Sequence, residues 1–217
     1  MSLVDLSQPY RDRMFSQKLF PPVRVERCIR HEDRGVNVTC LSAAVHAGTH
    51  VDAPCHFIPD GPSIDQIDLA RVSGPAVCWD VRRGADEAIT ASDLEACRPR
   101  AEAGDVVFVH TGWDVYFAGD HDAYHHHPYL SVEAADWLLQ RRVKMICLDI
   151  ATPDMPEAVR PAAFDWPVHR LLLGAGVLIA EHLAHLELVA GRRFRALALP
   201  IPIVGSDGAP ARIVAEL

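Results

Sequence analysis

No run of eighteen apolar residues occurs in this sequence of 217 residues, so no segment is expected to span a membrane. The first residues, MSLVDLSQPYRDR, lack the apolar centre of a secretory leader, and a cytoplasmic protein is the expectation. Basic residues never cluster beyond pairs such as Arg82–Arg83 and Arg192–Arg193, and the formal net charge is −8. That balance argues against a nucleic-acid surface. There is no CxxC pair. The six cysteines, at 28, 40, 55, 78, 97 and 147, are scattered and read as reduced core thiols rather than a disulfide framework. GxSxG is missing, which disfavours a serine hydrolase. Without GxGxxG or GxxxxGK[ST], the usual nucleotide cradles are missing too. No repeat, low-complexity tract or Ser/Gly linker divides the chain, so residues 1–217 read as one domain.

What is present is a hydrophobic content of 49%, enough for a substantial core. Residues 2–6 alternate like a short strand. Residues 24–30 and 36–45 are rich in β-branched residues with polar alternates and predict an antiparallel pair. Further strands are expected over 75–81, 105–110, 144–150, 177–183 and 196–203. In the last, Pro200 and Pro202 suggest an edge or a bend. A turn and a short strand end the chain. Thr90-x-x-Asp93 marks one helix start, Ser131 caps a second helix running to Arg142, and 168–173 gives one or two helical turns. Residues 57–68, 114–130 and 151–167 are expected to be irregular. Strands outweigh helices, so the expectation is a mixed α/β domain without a regular βαβ repeat.

The densest chemistry lies in HAGTHVDAPCHF, residues 46–57. It holds His46, His50, Asp52 and His56, with Gly48 and Pro54 between them. Ligands bind one metal at about 2.0–2.2 Å, so their donor atoms must converge. An extended strand would separate His46 from His50 by about 13 Å. The chain must therefore curl, and Gly48 permits it. Thr49 could bond the turn or orient a ligand. His46, His50 and Asp52 are the expected metal ligands. His56 lies further along, and its expected role is that of a neutral imidazole moving protons beside the metal.

A second group is dispersed. Glu181 interrupts the apolar VLIAEHL, and a carboxylate there needs a positive partner if buried. His169 precedes it in DWPVHRLL. If both reach the site, three histidines and two carboxylates are enough for two divalent ions with one carboxylate bridging. His182 and His185 compete for this role, but alternation puts His182 on the opposite face from Glu181. His125, His126 and His127 sit in a polar stretch and are expected to be solvated. Asp149 and Asp154 could support ligands or shape turns.

These residues resemble a known family, the cyclase-like metal-dependent hydrolases, which includes bacterial kynurenine formamidase and isatin hydrolase. HAGTHVDAPCHF is similar to its HxGTHxDxPxHF signature. DLSQP, the TGW at 111–113, LDIATPD at 148–154, the His169–Glu181 spacing and DGAPARIVAE follow in the family's order, over residues 3–216. Two regions depart from its pattern: MFSQKLFPPV at 14–23, and Thr152-x-Asp154 where the family has Ser-x-Asp.

The resemblance implies a cyclase-like swivelling β/β/α fold: a mixed α/β domain with a β-barrel-like core and short flanking helices, assembled as a homodimer or homotetramer. It further implies that His46, His50 and Asp52 hold one zinc and that Asp52 bridges to a second, completed by His169 and Glu181. Manganese suits the same ligands. His56 would be the general acid/base. The expected function is a metal-dependent amide hydrolase of the arylformamidase type, converting N-formyl-L-kynurenine to kynurenine and formate in tryptophan catabolism. Trp113, with Phe20 and Tyr116 as weaker candidates, would wall the substrate ring. The alternatives are a hydrolase of cyclic amides, imides or lactones of the isatin type, and a metal-binding scaffold without turnover.

Overall fold

The computed structural model describes residues 2–217. Its strands are β1 (Leu3–Asp5), β2 (Arg24–Ile29), β3 (Val38–Ser42), β4 (His50–Asp52), β5 (Ser73–Asp80), β6 (Ala88–Ile89), β7 (Val106–His110), β8 (Tyr129–Leu130), β9 (Met145–Leu148), β10 (Leu178–Glu181), β11 (Arg193–Pro200) and β12 (Gly208–Glu216). Its helices are α1 (His31–Arg34), α2 (Ala91–Ala96), α3 (His121–Tyr124), α4 (Val132–Gln140) and α5 (Pro167–Gly174).

Seven of the strands close on themselves. β5, β7, β9 and β10 run parallel side by side. β4 joins β10 antiparallel, β12 joins β4, and β11 lies between β12 and β5 to complete the ring. β1 continues the β4 edge by pairing with the far end of β12. The result is the mixed, barrel-cored α/β fold that the sequence led one to expect.

Period-two alternation sorts the residues into two layers. Ala76, Cys78, Phe108, Cys147, Ala180, Ala196, Ala198, Ala209 and Ala215 pack together inside the ring. Small side chains fill most of that narrow interior. The alternate residues Val77, Trp79, Val107, Val109, Ile146, Leu148 and Ile179 face outward and are covered by α2, α4 and α5 through Leu94, Leu138, Val168 and Leu172. β7 and β9 are thus buried on both faces, which explains their uninterrupted apolar sequences.

Several expectations need correction. The pair expected over 24–30 and 36–45 is the antiparallel β2–β3 hairpin, which forms its own two-stranded sheet. Its cysteines are not core thiols: Cys28 and Cys40 are exposed and form a disulfide, with Cα atoms 6.0 Å apart. Cys78 and Cys147 are buried and free, as expected. β11 is not an edge strand, because it pairs on both sides. Pro200 lies past its last partner on β5, where the missing N–H costs no ladder bond. The last strand, β12, is the longest of all at nine residues. The stretch 114–130 contains the single turn α3 and the short β8.

Candidate metal centre

The site forms where β4, β10 and the start of α5 meet. In the antiparallel β4–β10 register, Glu181 lies opposite His50 and Ile179 opposite Asp52. His50 and Asp52 are two apart on one strand and share a face. His169 reaches them from the first turn of α5. His50 Nε2 is 3.2 Å from Asp52 Oδ1 and 3.5 Å from Glu181 Oε2. His169 Nε2 is 3.4 Å from Asp52 Oδ2 and 3.3 Å from Glu181 Oε1. Each carboxylate therefore presents one oxygen to each imidazole.

The outer nitrogen of both rings is fixed. His50 Nδ1 donates to the Gly48 carbonyl at 2.8 Å. His169 Nδ1 donates to Asp154 Oδ2 at 2.7 Å. Both lone pairs at Nε2 consequently point into the cluster, as they do in metal-binding histidines. Asp154 also accepts the backbone N–H groups of Val168 and His169 at 3.0 Å each, anchoring the start of α5. Asp154 thus orients His169.

The loop ahead of β4 curls where expected. Gly48 has φ +64°, and a Cβ there would lie 2.7 Å from Met14 Cε and 3.3 Å from Tyr10 Cε2. Tyr10 donates its hydroxyl to the Ala47 carbonyl. Thr49 donates to the His182 carbonyl at 2.7 Å and accepts from Gln8 N–H at 2.8 Å, tying the N-terminal segment to the end of β10.

The donor set suits a cation. His50 Nε2, Asp52 Oδ2 and Glu181 Oε1 are buried without any hydrogen-bond partner. Leaving such atoms unanswered costs roughly 1–3 kcal/mol each. Burial and the neighbouring Asp52 charge push the Glu181 carboxyl up. Burial opposes ionisation of Asp52 as well, but the imidazoles of His169, His46 and His50 hold it well below the usual carboxylate range. Two carboxylates this close and this dry require positive charge between them, and a divalent metal held by His50, Asp52, His169 and Glu181 fits that need.

His46 and His56 lie beside this group and share a residue that sequence reasoning missed. His46 Nδ1 is 2.8 Å from Asp52 Oδ1, and its Nε2 is 2.9 Å from Asp207 Oδ2. Burial works against the His46 cation, but hydrogen bonds to Asp207 and Asp52 outweigh it and raise the pKa to about 10. His56 stacks on His46 at 4.0 Å between centroids, and its Nδ1 is 3.2 Å from Asp207 Oδ2. Burial lowers the His56 pKa to about 4, so the ring is neutral. The short 3-10 turn Pro54–His56 draws His56 back, and its donor atom falls within 4.8 Å of those of His46 and Asp52. His56 is thus closer to the ligands than its sequence position suggested. Gly208 makes room for this arrangement, since a Cβ there would meet His46 Cε1 at 2.8 Å. The sequence signals for Asp207 are its place in the Asp-Gly turn opening the last strand and at the head of DGAPARIVAE.

Other expectations are revised. His182 does not turn away from the cluster: a left-handed backbone, φ +56°, breaks strand alternation and places its ring 5.6 Å from that of His50. Its Nδ1 is hydrogen-bonded to the buried Tyr124 hydroxyl at 2.9 Å. His127 is buried rather than solvated, donating Nδ1 to the Pro128 carbonyl at 2.8 Å, whereas His126 is exposed. A cavity of about 580 Å³ opens over the cluster, bounded by His56, His169, Glu181, Phe20, Phe57, Phe164, Trp166 and Arg160 among others. Phe20 lines the cavity. Trp113 and Tyr116 do not line the cavity; their rings pack on each other at 5.1 Å, and Trp113 Nε1 donates to the Ala123 carbonyl.

A closed mixed barrel with a cluster of histidines and carboxylates on its outer face, beneath an aromatic cavity, is the architecture of a metal-dependent hydrolase. The chain belongs to the Cyclase family, whose model matches residues 4–155. It is 29% identical to a kynurenine formamidase of Bacillus cereus over 212 residues, covering 97% of this chain and 95% of that protein. Isatin hydrolase A from Ralstonia solanacearum superposes with a TM-score of 0.90 at 27% identity, covering 99% of this chain and 91% of the other. A structure described as a predicted metal-dependent hydrolase from Bacillus stearothermophilus superposes with a TM-score of 0.78 at 26% identity, covering 99% and 97%.

Proposed function

We propose that this protein is a metal-dependent hydrolase that cleaves the C–N bond of an aryl formamide, with N-formyl-L-kynurenine as substrate and kynurenine and formate as products. The observation that carries the reading is the set of orphaned donors, His50 Nε2, Asp52 Oδ2 and Glu181 Oε1, converging beside His169 beneath an aromatic cavity. The resemblance to a kynurenine formamidase over nearly the whole chain supports the substrate. In this reading His46, His50 and Asp52 would hold one divalent ion and Asp52, His169 and Glu181 a second, with zinc or manganese as the candidates. The chain works as one domain, as a cytoplasmic homodimer or homotetramer.

When bound, a divalent metal supplies a Lewis acid for the formyl oxygen and lowers the pKa of water. The residues do the rest. Asp207 accepts from His56 Nδ1, which leaves Nε2 as the atom that takes a proton. His56 removes that proton from the attacking water and delivers it to the nitrogen as the C–N bond breaks. With a side chain 24% exposed against 9% for His46 and 0% for His50, His56 is the most accessible histidine of the motif. Phe20, Phe57 and Trp166 flank the aryl group.

A second reading, hydrolysis of a cyclic amide, is favoured by the close superposition on isatin hydrolase A and uses the same groups. Metal analysis of the purified protein and a panel of N-formylkynurenine, formanilide, isatin and small lactones test both. Formamide hydrolysis with about one to two divalent ions per chain is the expected result. Turnover of isatin alone would select the second reading, and full activity after complete chelation would overturn both.

A further inference from the structure

One wall of the cavity comes from a single stretch of chain containing Thr152, Glu157, Arg160, Pro161, Phe164 and Trp166. Arg160 is the only cation in that stretch. Its Nε donates to the Met155 carbonyl at 2.6 Å, which fixes the base of the guanidinium. Its Cζ lies 4.9 Å from the Phe164 ring centroid and 5.4 Å from that of Trp166. The plane is thereby held by one backbone bond and two aromatic rings. Among the described residues, no carboxylate approaches the guanidinium within 4.0 Å. Among the described residues the Met155 carbonyl is the only hydrogen-bond partner of the guanidinium, so both terminal nitrogens are left for the cavity.

A half-buried guanidinium is costly to leave unanswered. A planar fork of this kind matches a carboxylate with two parallel hydrogen bonds. The charges of Asp154, Glu157 and Glu181 all act on Arg160. These acidic neighbours oppose a dianion such as phosphate, which leaves a monoanion as the fitting ligand. Lys18, the other Lys or Arg on the lining, is exposed and offers only a point charge.

We propose that Arg160 is a specificity-determining residue that reads a carboxylate: it binds the anionic end of an aryl formamide whose formyl group lies at the His50–Asp52–His169–Glu181 cluster. The site therefore selects substrates that carry an aromatic ring between the formamide and a remote carboxylate. This inference rests on the hydrolase reading above.

Paired substrates test it on the metal-loaded, full-length protein. One is neutral formanilide; the other is 4-(2-formamidophenyl)-4-oxobutanoate, which keeps the ring and carboxylate but has no ammonium group. Arg160→Met is expected to lower kcat/KM for the carboxylate substrate roughly 10- to 100-fold and to leave formanilide within about twofold. Arg160→Lys, which keeps charge without the fork, falls between. Equal losses on both substrates, or no loss on either, would overturn the proposal. If the wild type hydrolyses neither, the hydrolase reading fails and calorimetry decides the role of Arg160. Tighter binding of 4-oxo-4-phenylbutanoate than of acetophenone, abolished by Arg160→Met, would uphold the carboxylate site; absence of that preference would remove it.

Discussion

His50 and Glu181 sit opposite one another in the β4–β10 ladder, with His50 Nε2 3.5 Å from Glu181 Oε2. Cross-strand neighbours share a face, so the ladder register itself brings together a histidine and a carboxylate far apart in sequence.

That pairing leaves buried donors without partners, and filling them should stabilise the fold. Metal at a hundredfold excess over its dissociation constant adds about 2.7 kcal/mol, or roughly 5–10 °C in Tm for a chain of this size. Thermal melts of chelated protein, with and without added zinc or manganese, read the shift. Asp52→Asn should abolish it, and an unaltered metal response in that variant would contradict the ligand assignment.

His56 and Asp207 should separate in their effects from the ligands. His56→Ala is expected to reduce kcat about 10²- to 10⁴-fold while metal content stays at the wild-type level. Both imidazoles meet the same Asp207 oxygen, Oδ2, so Asp207→Asn removes the charge that holds both rings, and should lower both activity and metal affinity. Elemental analysis beside steady-state kinetics distinguishes the two patterns.

Gly48→Ala combines a left-handed backbone with a contact. The backbone alone costs about 1–2 kcal/mol. Met14→Ala should relieve the contact with Met14 Cε but not the dihedral, so the double variant recovers only part of the lost stability in urea denaturation. Full recovery would show that crowding, and not φ, demands glycine.

His127 gives the fold an acid sensitivity away from the metal ligands. Burial lowers its pKa to about 4, against about 6.5 in an unfolded chain. Between these values the unfolded state binds more protons. The stabilisation is therefore complete above about pH 6.5 and is lost as pH falls towards 4, by about 3 kcal/mol in all. Denaturation curves of His127→Gln across that window should show a shallower loss than the wild type. Parallel curves would place the acid sensitivity elsewhere.

The fold and the motif were legible in the sequence because local signals carry them. Buried parallel strands read as apolar runs, Thr90 and Ser131 cap the helices as expected, and Gly48 marks the curl. What escaped depends on long-range packing. His182 was misplaced because one left-handed residue defeats alternation. Asp207 looked like a turn former until β12 was seen to pair with β4. Trp113 has the chemistry of a cavity residue but packs on Tyr116, and the aromatic wall comes from Phe57, Phe164 and Trp166. The disulfide between Cys28 and Cys40 follows from a hairpin pairing that their spacing did not announce.

Ring closure through β4 and β12 has a consequence for biosynthesis. Gly208 pairs with Asp52, and Asp207 immediately before it holds His46 and His56. During translation the supporting carboxylate of the HAGTHVDAPCHF segment is made 151 residues after His56. The nascent chain therefore carries its histidines without the completed centre. Only the closing of the β4–β12 seam brings Asp207 to the two rings.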